Sequence, residues 1–276
     1  MISQNVKIAV EGSQMAAYLA RPEEGSGPHP AVIVLQEIFG LTPETKRVTA
    51  LLPSIGCVGL AINYFHRTYP EMCEPYTEEG TRNAFGVAAR LTAQQIISDV
   101  AAAAAWLNTQ PYVKSGKIAT WGFGFGGTAA FISSSLKELS GAMCFYPINI
   151  TTPMPSGGEP PLDHVREVAI PLLLVFGEQD YYVSRHDMDR ICQALKDAGK
   201  DFQMQIYPDV GHSFFRLGRP EAIAEQTRYS DEAVAHGVAD SWNLVQKFLH
   251  DVFSRAPASA AATGDIHTER TVPSPR

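Results

Sequence analysis

The sequence is poor in cysteine, in charge and in long apolar runs, and each shortage excludes something. Its 276 residues hold four cysteines, Cys57, Cys73, Cys144 and Cys192, with no Cys-x-x-Cys pair among them. That spacing offers neither a thiolate zinc site nor a redox dithiol, and reduced thiols in a cytoplasmic protein are the simplest reading. Eight histidines are present, but none in His-x-x-x-His or His-Glu-x-x-His spacing, so no metal centre is expected. Charged residues make up 18% of the chain with a net charge of −7, and no Lys/Arg cluster occurs, so nucleic acid is not an expected partner. No apolar run nears the ~20 residues of a membrane span. The opening MISQNVKIAVEG also lacks the basic-then-apolar pattern of a signal peptide.

What the chain does have is ample apolar material, 45% of residues, arranged in alternating strand-like and helix-like runs. NVKIAV and MAAYLA read as two short strands joined at Glu11-Gly12-Ser13, and AVIVLQ (31–36) as a strand buried on both faces. TPETKRVTALLPSIG reads as a helix capped by Thr42, followed by the strand CVGLAINY. Residues 65–91 are mixed and form an irregular excursion, expected to act as a lid. A helix starts at Thr92, which forms a capping box with Gln95. KIATWG, GAMCFYP, PLLLVFG and FQMQIYP supply further strands. Helices at TAAFISSSLKEL, SRHDMDRICQALKDAG and DEAVAHGVADSWNLVQKFLHDVF separate or follow them. Such alternation predicts an α/β protein with a mainly parallel central sheet and helices on both faces. Residues 1–253 read as one domain, and 254–276 as a disordered tail of little apolar content.

The stretch ATWGFGFGGTAAF (119–131) raises the functional question. Gly122-x-Gly124-x-x-Gly127 fits a dinucleotide fingerprint, and the same residues fit a hydrolase's nucleophile elbow with Gly124 in the nucleophile's place. The cofactor reading needs an acidic residue at the end of the next strand, but that strand ends CFYPIN. The elbow reading needs an acid and then a histidine, each beyond a later strand. PLLLVFG runs into Glu178-Gln179-Asp180, and FQMQIYP runs into Asp209-Val210-Gly211-His212. The elbow reading therefore prevails.

With those residues in view, the set VLQEIFG (34–40), WGFGFGG (121–127), FGEQDYYV (176–183) and VGHSFF (210–215) resembles the dienelactone hydrolase family of α/β-hydrolases. The resemblance runs to about residue 253 and implies hydrolysis of a small ester or lactone with no cofactor. It implies Asp180 as the group that orients His212, and His212 as general base and acid. Glu37 would stand beside the nucleophile, where the family's carboxylate interacts with a thiol. Backbone N–H groups of Phe125 and Ile38 would form the oxyanion hole. Arg216 resembles a family arginine that binds a substrate carboxylate, and Arg82 is a second candidate. Tyr64 and Tyr146 follow strands and are candidates for lining the pocket.

One departure matters most. The family usually carries a cysteine at the elbow, and Gly124 has no side chain. Without Cys or Ser there, no acyl-enzyme can form at that position. Ser133, Ser134 and Ser135 lie turns into a helix, and Cys144 lies mid-strand. Three readings stand: His212 activates water directly; the chain is an inactive relative or a nucleophile-removed variant; or the pocket binds a small carboxylate or lactone without turnover.

Overall fold

The computed structural model describes residues 1–23, 25, 27–215 and 229–255. Two antiparallel strands come first, β1 (Ile2–Val10) and β2 (Ser13–Arg21). The tight turn between them puts Glu11 and Gly12 at positive φ. Next come β3 (His29–Leu35), α1 (Pro43–Thr49) and β4 (Val58–Ile62). They are followed by α2 (Glu78–Ala88), α3 (Ala93–Asn108), β5 (Val113–Phe123) and α4 (Phe125–Ser133). The chain then forms β6 (Gly141–Phe145), β7 (Leu172–Gly177), α5 (Arg185–Asp197), β8 (Phe202–Tyr207) and α6 (Asp231–Ser254).

These strands make one eight-stranded sheet in the order β1-β2-β4-β3-β5-β6-β7-β8. β2 pairs antiparallel with β4, and every pairing from β4 through β3, β5, β6 and β7 to β8 is parallel. β4, β6 and β7 are buried at every residue. This is why they read as continuous apolar runs rather than alternating ones. A core lies on each face: one contains α3, α4 and α5 residues such as Val100, Ala130 and Ile191, the other contains α6 residues such as Val245 and Phe248. The six parallel strands and the helices over both faces are those of an α/β-hydrolase.

Local chemistry sets several boundaries. Thr42 caps α1 by accepting from the Thr45 N–H at 3.2 Å, and Thr92 and Gln95 cap α3 reciprocally. The first predicted helix is shorter than expected. It ends at Thr49 and gives way to a 3₁₀ turn at Leu52–Ile55, because Pro53 cannot continue the backbone ladder. α4 also stops early, at Ser133. Ser133, Ser134 and Ser135 turn their hydroxyls back onto the carbonyls of Ala130, Phe131 and Ile132. That local bonding competes with helix propagation.

The excursion at 65–91 is less irregular than its composition suggested, since it contains α2, capped by Thr77 on the Gly80 N–H at 3.1 Å. Gly80 and Gly86 weaken the helix signal in the sequence, while burial of Ala84 and Ala88 favours the helix in the fold. The excursion is tied to the loop after β3: Leu41 N–H donates to Met72 O at 3.0 Å, and Glu74 N–H to Phe39 O at 2.8 Å. The expected tail lies outside the described residues from 256 onward. No described helix is long and apolar enough to cross a membrane.

Candidate active site

β5 delivers the glycine-rich turn into α4. Gly124 is the N-cap of α4 with φ 55° and ψ −116°, outside the regions open to ordinary L-residues. Glycine adopts such a conformation without strain. The flanking glycines answer a different need, close packing. A Cβ on Gly122 would stand 1.8 Å from Gly126 O, and one on Gly126 would stand 2.1 Å from Leu35 O. The turn is thus a sharp strand-to-helix bend pressed against the end of β3. Its tip presents the first N–H groups of α4, which have no partner four residues back.

The direction in which a side chain at 124 would project identifies the candidate site. A Cβ there would lie 3.6 Å from His212 Nε2 and 3.8 Å from both Cγ and Oε1 of Glu37. All three are ordinary van der Waals distances, so a Cβ would fit there without a clash and would face two functional groups. Glu37 comes from the loop after β3, and His212 from the loop after β8. Three loops therefore converge at the carboxyl end of the parallel strands, where open α/β sheets place their sites.

His212 is held from behind. Its Nδ1 lies 2.8 Å from Asp180 Oδ2, and the imidazole is only 9% exposed. Asp180, in the loop after β7, has a fully buried side chain. Its second oxygen, Oδ1, accepts the backbone N–H groups of Tyr182 at 2.8 Å and Val183 at 3.1 Å. Those bonds anchor the carboxylate, so the ring it supports keeps Nε2 directed at the space beside Gly124. Aromatic rings pack around the imidazole: Tyr146 at 5.0 Å and Tyr182 at 4.7 Å between centroids, both edge to face.

Of the residues anticipated from sequence, Gly124, Glu37, Asp180 and His212 converge. Phe125 is the first residue of α4, and Ile38 follows Glu37; both are buried beside the bend. Tyr146 packs on His212 with positive φ, 38°. Tyr64 is a correction. It is wholly buried, and its hydroxyl donates to the Gln36 carbonyl rather than facing a pocket. Burial, and then the nearby Glu37 carboxylate, push its phenol well above the ordinary value. Arg82 is a second correction: it lies on the exposed side of α2 in an ion pair with Glu78 at 2.8 Å, one helical turn away. Arg216 lies outside the described residues.

Two contributors went unnoticed in the sequence. Ser213, with φ 61°, donates its hydroxyl to Glu37 Oε1 at 3.4 Å, a long hydrogen bond. Tyr182 flanks the imidazole. Both sit within motifs already singled out, VGHSFF and FGEQDYYV, so adjacency to a motif residue was the available signal. Cys144 and Cys57 are both buried, and burial pushes the Cys57 thiol up to about 12 and that of Cys144 higher still. Deep burial of this kind leaves a thiol inert. Among the described residues no group of three or more His, Cys, Asp or Glu side chains could hold a metal.

Comparison with known proteins gives a consistent picture. A family model described as "Dienelactone hydrolase family" matches residues 15–253. A Synechocystis sp. protein named "Putative carboxymethylenebutenolidase" is 31% identical over 244 residues, covering 88% of this chain and 94% of the relative. A "Carboxymethylenebutenolidase" from Pseudomonas sp. is 29% identical over 230 residues, covering 83% of this chain and 91% of the relative. Among solved structures, one titled "Putative Dienelactone Hydrolase" from Klebsiella pneumoniae superposes with a TM-score of 0.77 at 22% identity. It covers 90% of this chain and 98% of that one, and at this identity the likeness concerns the fold.

Proposed function

The chain belongs to the dienelactone hydrolase family, and from that premise we propose that it hydrolyses a small ester or lactone by activating water directly. The observation that carries the reading is that a side chain at 124 would project between two functional groups, its Cβ 3.6 Å from His212 Nε2 and 3.8 Å from Glu37 Oε1. A water standing beyond that Cβ position, where a nucleophile's terminal atom would be, donates one hydrogen to Nε2 and the other to Glu37, leaving an oxygen lone pair for the substrate carbonyl carbon. His212 takes the water's proton as the new C–O bond forms. Asp180, hydrogen-bonded to Nδ1, holds the ring in the required tautomer and stabilises the imidazolium.

The carbonyl oxygen becomes an oxyanion facing the N–H groups of Phe125 and Ile38, and the start of α4 favours negative charge at that point. Collapse of the tetrahedral intermediate breaks the bond to the alkoxide, which takes the proton from His212. The products are a carboxylic acid, which then releases its proton to solvent, and an alcohol, or a hydroxy acid from a lactone. General-base assistance contributes roughly 10²–10⁴-fold and one oxyanion donor roughly 10²–10³-fold, so the parts suffice for catalysis without a covalent intermediate.

The missing side chain at 124 supports a second reading, in which the pocket binds a small ester, lactone or carboxylate and turns nothing over. One experiment separates the two. The chain and its Gly124→Cys variant are assayed on an activated aryl ester and on an unsaturated lactone, with mass spectrometry after quenching. Water activation predicts hydrolysis by the unaltered chain with no covalent adduct, abolished by His212→Ala. Turnover confined to Gly124→Cys marks the unaltered chain as an inactive relative, ligand binding with no turnover in either supports the second reading, and an acyl adduct on the unaltered chain refutes all of them.

A further inference from the structure

Beside the candidate site lies a cavity of about 190 Å³ that the hydrolytic machinery leaves unused. Its walls are Phe85 of α2, Pro147 and Ile148 after β6, and Tyr182 after β7, with Thr151 and Asp187 on its polar side. It adjoins the catalytic space on two sides. Ile148 N–H donates to the Gly124 carbonyl at 3.3 Å, and the Tyr182 ring stands edge to face with His212. Tyr182 is nevertheless 49% exposed, an unusual place for a large aromatic ring that packs on a buried imidazole. Tyr181 stands against it at 4.3 Å between centroids.

The volume is below the ~300–1,000 Å³ typical of pockets for drug-sized ligands, so it suits a single ring or short chain. The lining is mixed, with Asn149, Thr151 and Thr152 among its apolar residues, and the half-exposed Tyr182 ring in it favours a planar, polarisable group over a saturated one. The polar side carries Asp187, which accepts the Ser184 hydroxyl at 2.5 Å and the Thr151 hydroxyl at 2.8 Å, with exposed Arg190 3.7 Å from its Oδ1. The bond from Ser184 foremost, then that from Thr151 and the Arg190 charge, keep its carboxyl below the ordinary range, so the cavity faces a carboxylate at neutral pH.

We propose that this cavity is a substrate subsite selecting an uncharged aromatic group, with Tyr182 as the stacking face and Asp187 as the element that rejects anions. The assignment rests on the hydrolase reading for its purpose, since it names the class of substrate: a neutral ester whose aromatic portion sits beside His212. Any carboxylate on the substrate would have to lie elsewhere.

Ketones test it independently of turnover, because they resemble an ester's carbonyl and cannot be hydrolysed. The full chain is titrated with acetophenone, with cyclohexyl methyl ketone of similar size, and with 4-acetylbenzoate, following binding by ligand-observed NMR. Acetophenone is expected to bind about 2–10-fold more tightly than the cyclohexyl ketone, the range that aromatic pairing supplies. It should exceed 4-acetylbenzoate by about fivefold at low salt, with the gap narrowing as salt rises. Tyr182→Leu should remove the aromatic preference, and Asp187→Asn should narrow the gap against the anion. Circular dichroism verifies that each variant is folded. If Asp187→Asn unfolds α5, the salt dependence in the unaltered chain decides the charge claim. Equal binding of the two neutral ketones overturns the proposal, as does a preference for the anion or an aromatic preference that survives Tyr182→Leu. Aromatic preference without any ester hydrolysis would sink the hydrolase reading and leave the subsite standing.

Discussion

Among the described residues, two histidines pair with aspartates whose side chains are fully buried, and they differ in what the second ring nitrogen meets. His212 sets Nδ1 against Asp180 and turns Nε2 toward the position a side chain at Gly124 would take. His66 follows β4 much as His212 follows β8, yet both of its nitrogens are engaged. Nδ1 meets the Ser13 hydroxyl at 3.0 Å, and Nε2 meets Asp99 Oδ1 at 3.2 Å. Asp99, from α3, also receives Arg67, which reaches on to Glu11 at 2.8 Å. The side chains of His66 and Asp99 are fully buried. Serine, histidine and aspartate thus meet at His66, whereas Ser213, next to His212 in the chain, turns its hydroxyl to Glu37. Only His212 has its second nitrogen directed at the strand-to-helix bend. The other network ties the β1–β2 turn to α3. Residue identity alone therefore does not mark a triad.

Mutation should separate the pairs most sharply. His212→Ala is expected to lower hydrolysis by roughly 10²–10⁴-fold. It also leaves the buried Asp180 carboxylate one partner short, at about 1–3 kcal/mol of stability. His66→Ala leaves Asp99 one partner short at a similar cost of about 1–3 kcal/mol, since Arg67 remains, but with activity per folded molecule preserved. Urea unfolding and ester assays on the two variants measure both quantities, and a large activity loss in folded His66→Ala would erase the distinction.

Direct activation of water, as proposed, requires that no buried thiol take part in catalysis, and alkylation tests that. Iodoacetamide should label exposed Cys73 in the native protein. Cys57 and Cys144 should resist it until the protein is unfolded, since burial holds both thiols protonated. Peptide mapping reads the outcome, and rapid native labelling of Cys144 would restore a covalent route.

A third aspartate sharpens the contrast at the smallest scale. Asp187 lies seven residues beyond Asp180, but its oxygens are spent on Ser184 and Thr151 rather than on an imidazole. Its carboxyl is held below the ordinary value of about 3.9. A lowered folded-state pKa adds stability above the unfolded value and forfeits it as pH falls through the folded one. The stability advantage over Asp187→Asn should accordingly be present near neutrality and shrink below about pH 4. Parallel unfolding curves across that range check it, and a gap that widens on acidification would contradict the assignment.

Much of the architecture was legible from periodicity and punctuation. The continuous apolar runs at 31–36 and 171–177 became the buried parallel strands β3 and β7, and the Thr92–Gln95 box started α3 as expected. The order of glycine turn, Asp180 and His212 was legible too, because each follows a recognisable strand. α2 was not, since its glycines argue against a helix and only packing of Ala84 and Ala88 outweighs them. Tyr64 could not be placed either, because a tyrosine after a strand reads alike whether its hydroxyl meets a substrate or a carbonyl.

By itself the sequence determined the sheet class, the family and the lack of any side chain at position 124, since these depend on composition, local pattern and residue identity. Tertiary structure decided which histidine keeps a nitrogen open and which aspartate steadies it. It also decided that Tyr64 supports a loop and that Tyr182 borders a cavity. The physical reason is that a functional group's chemistry depends on what occupies the few ångströms around it, and those neighbours come from strands far apart in the chain.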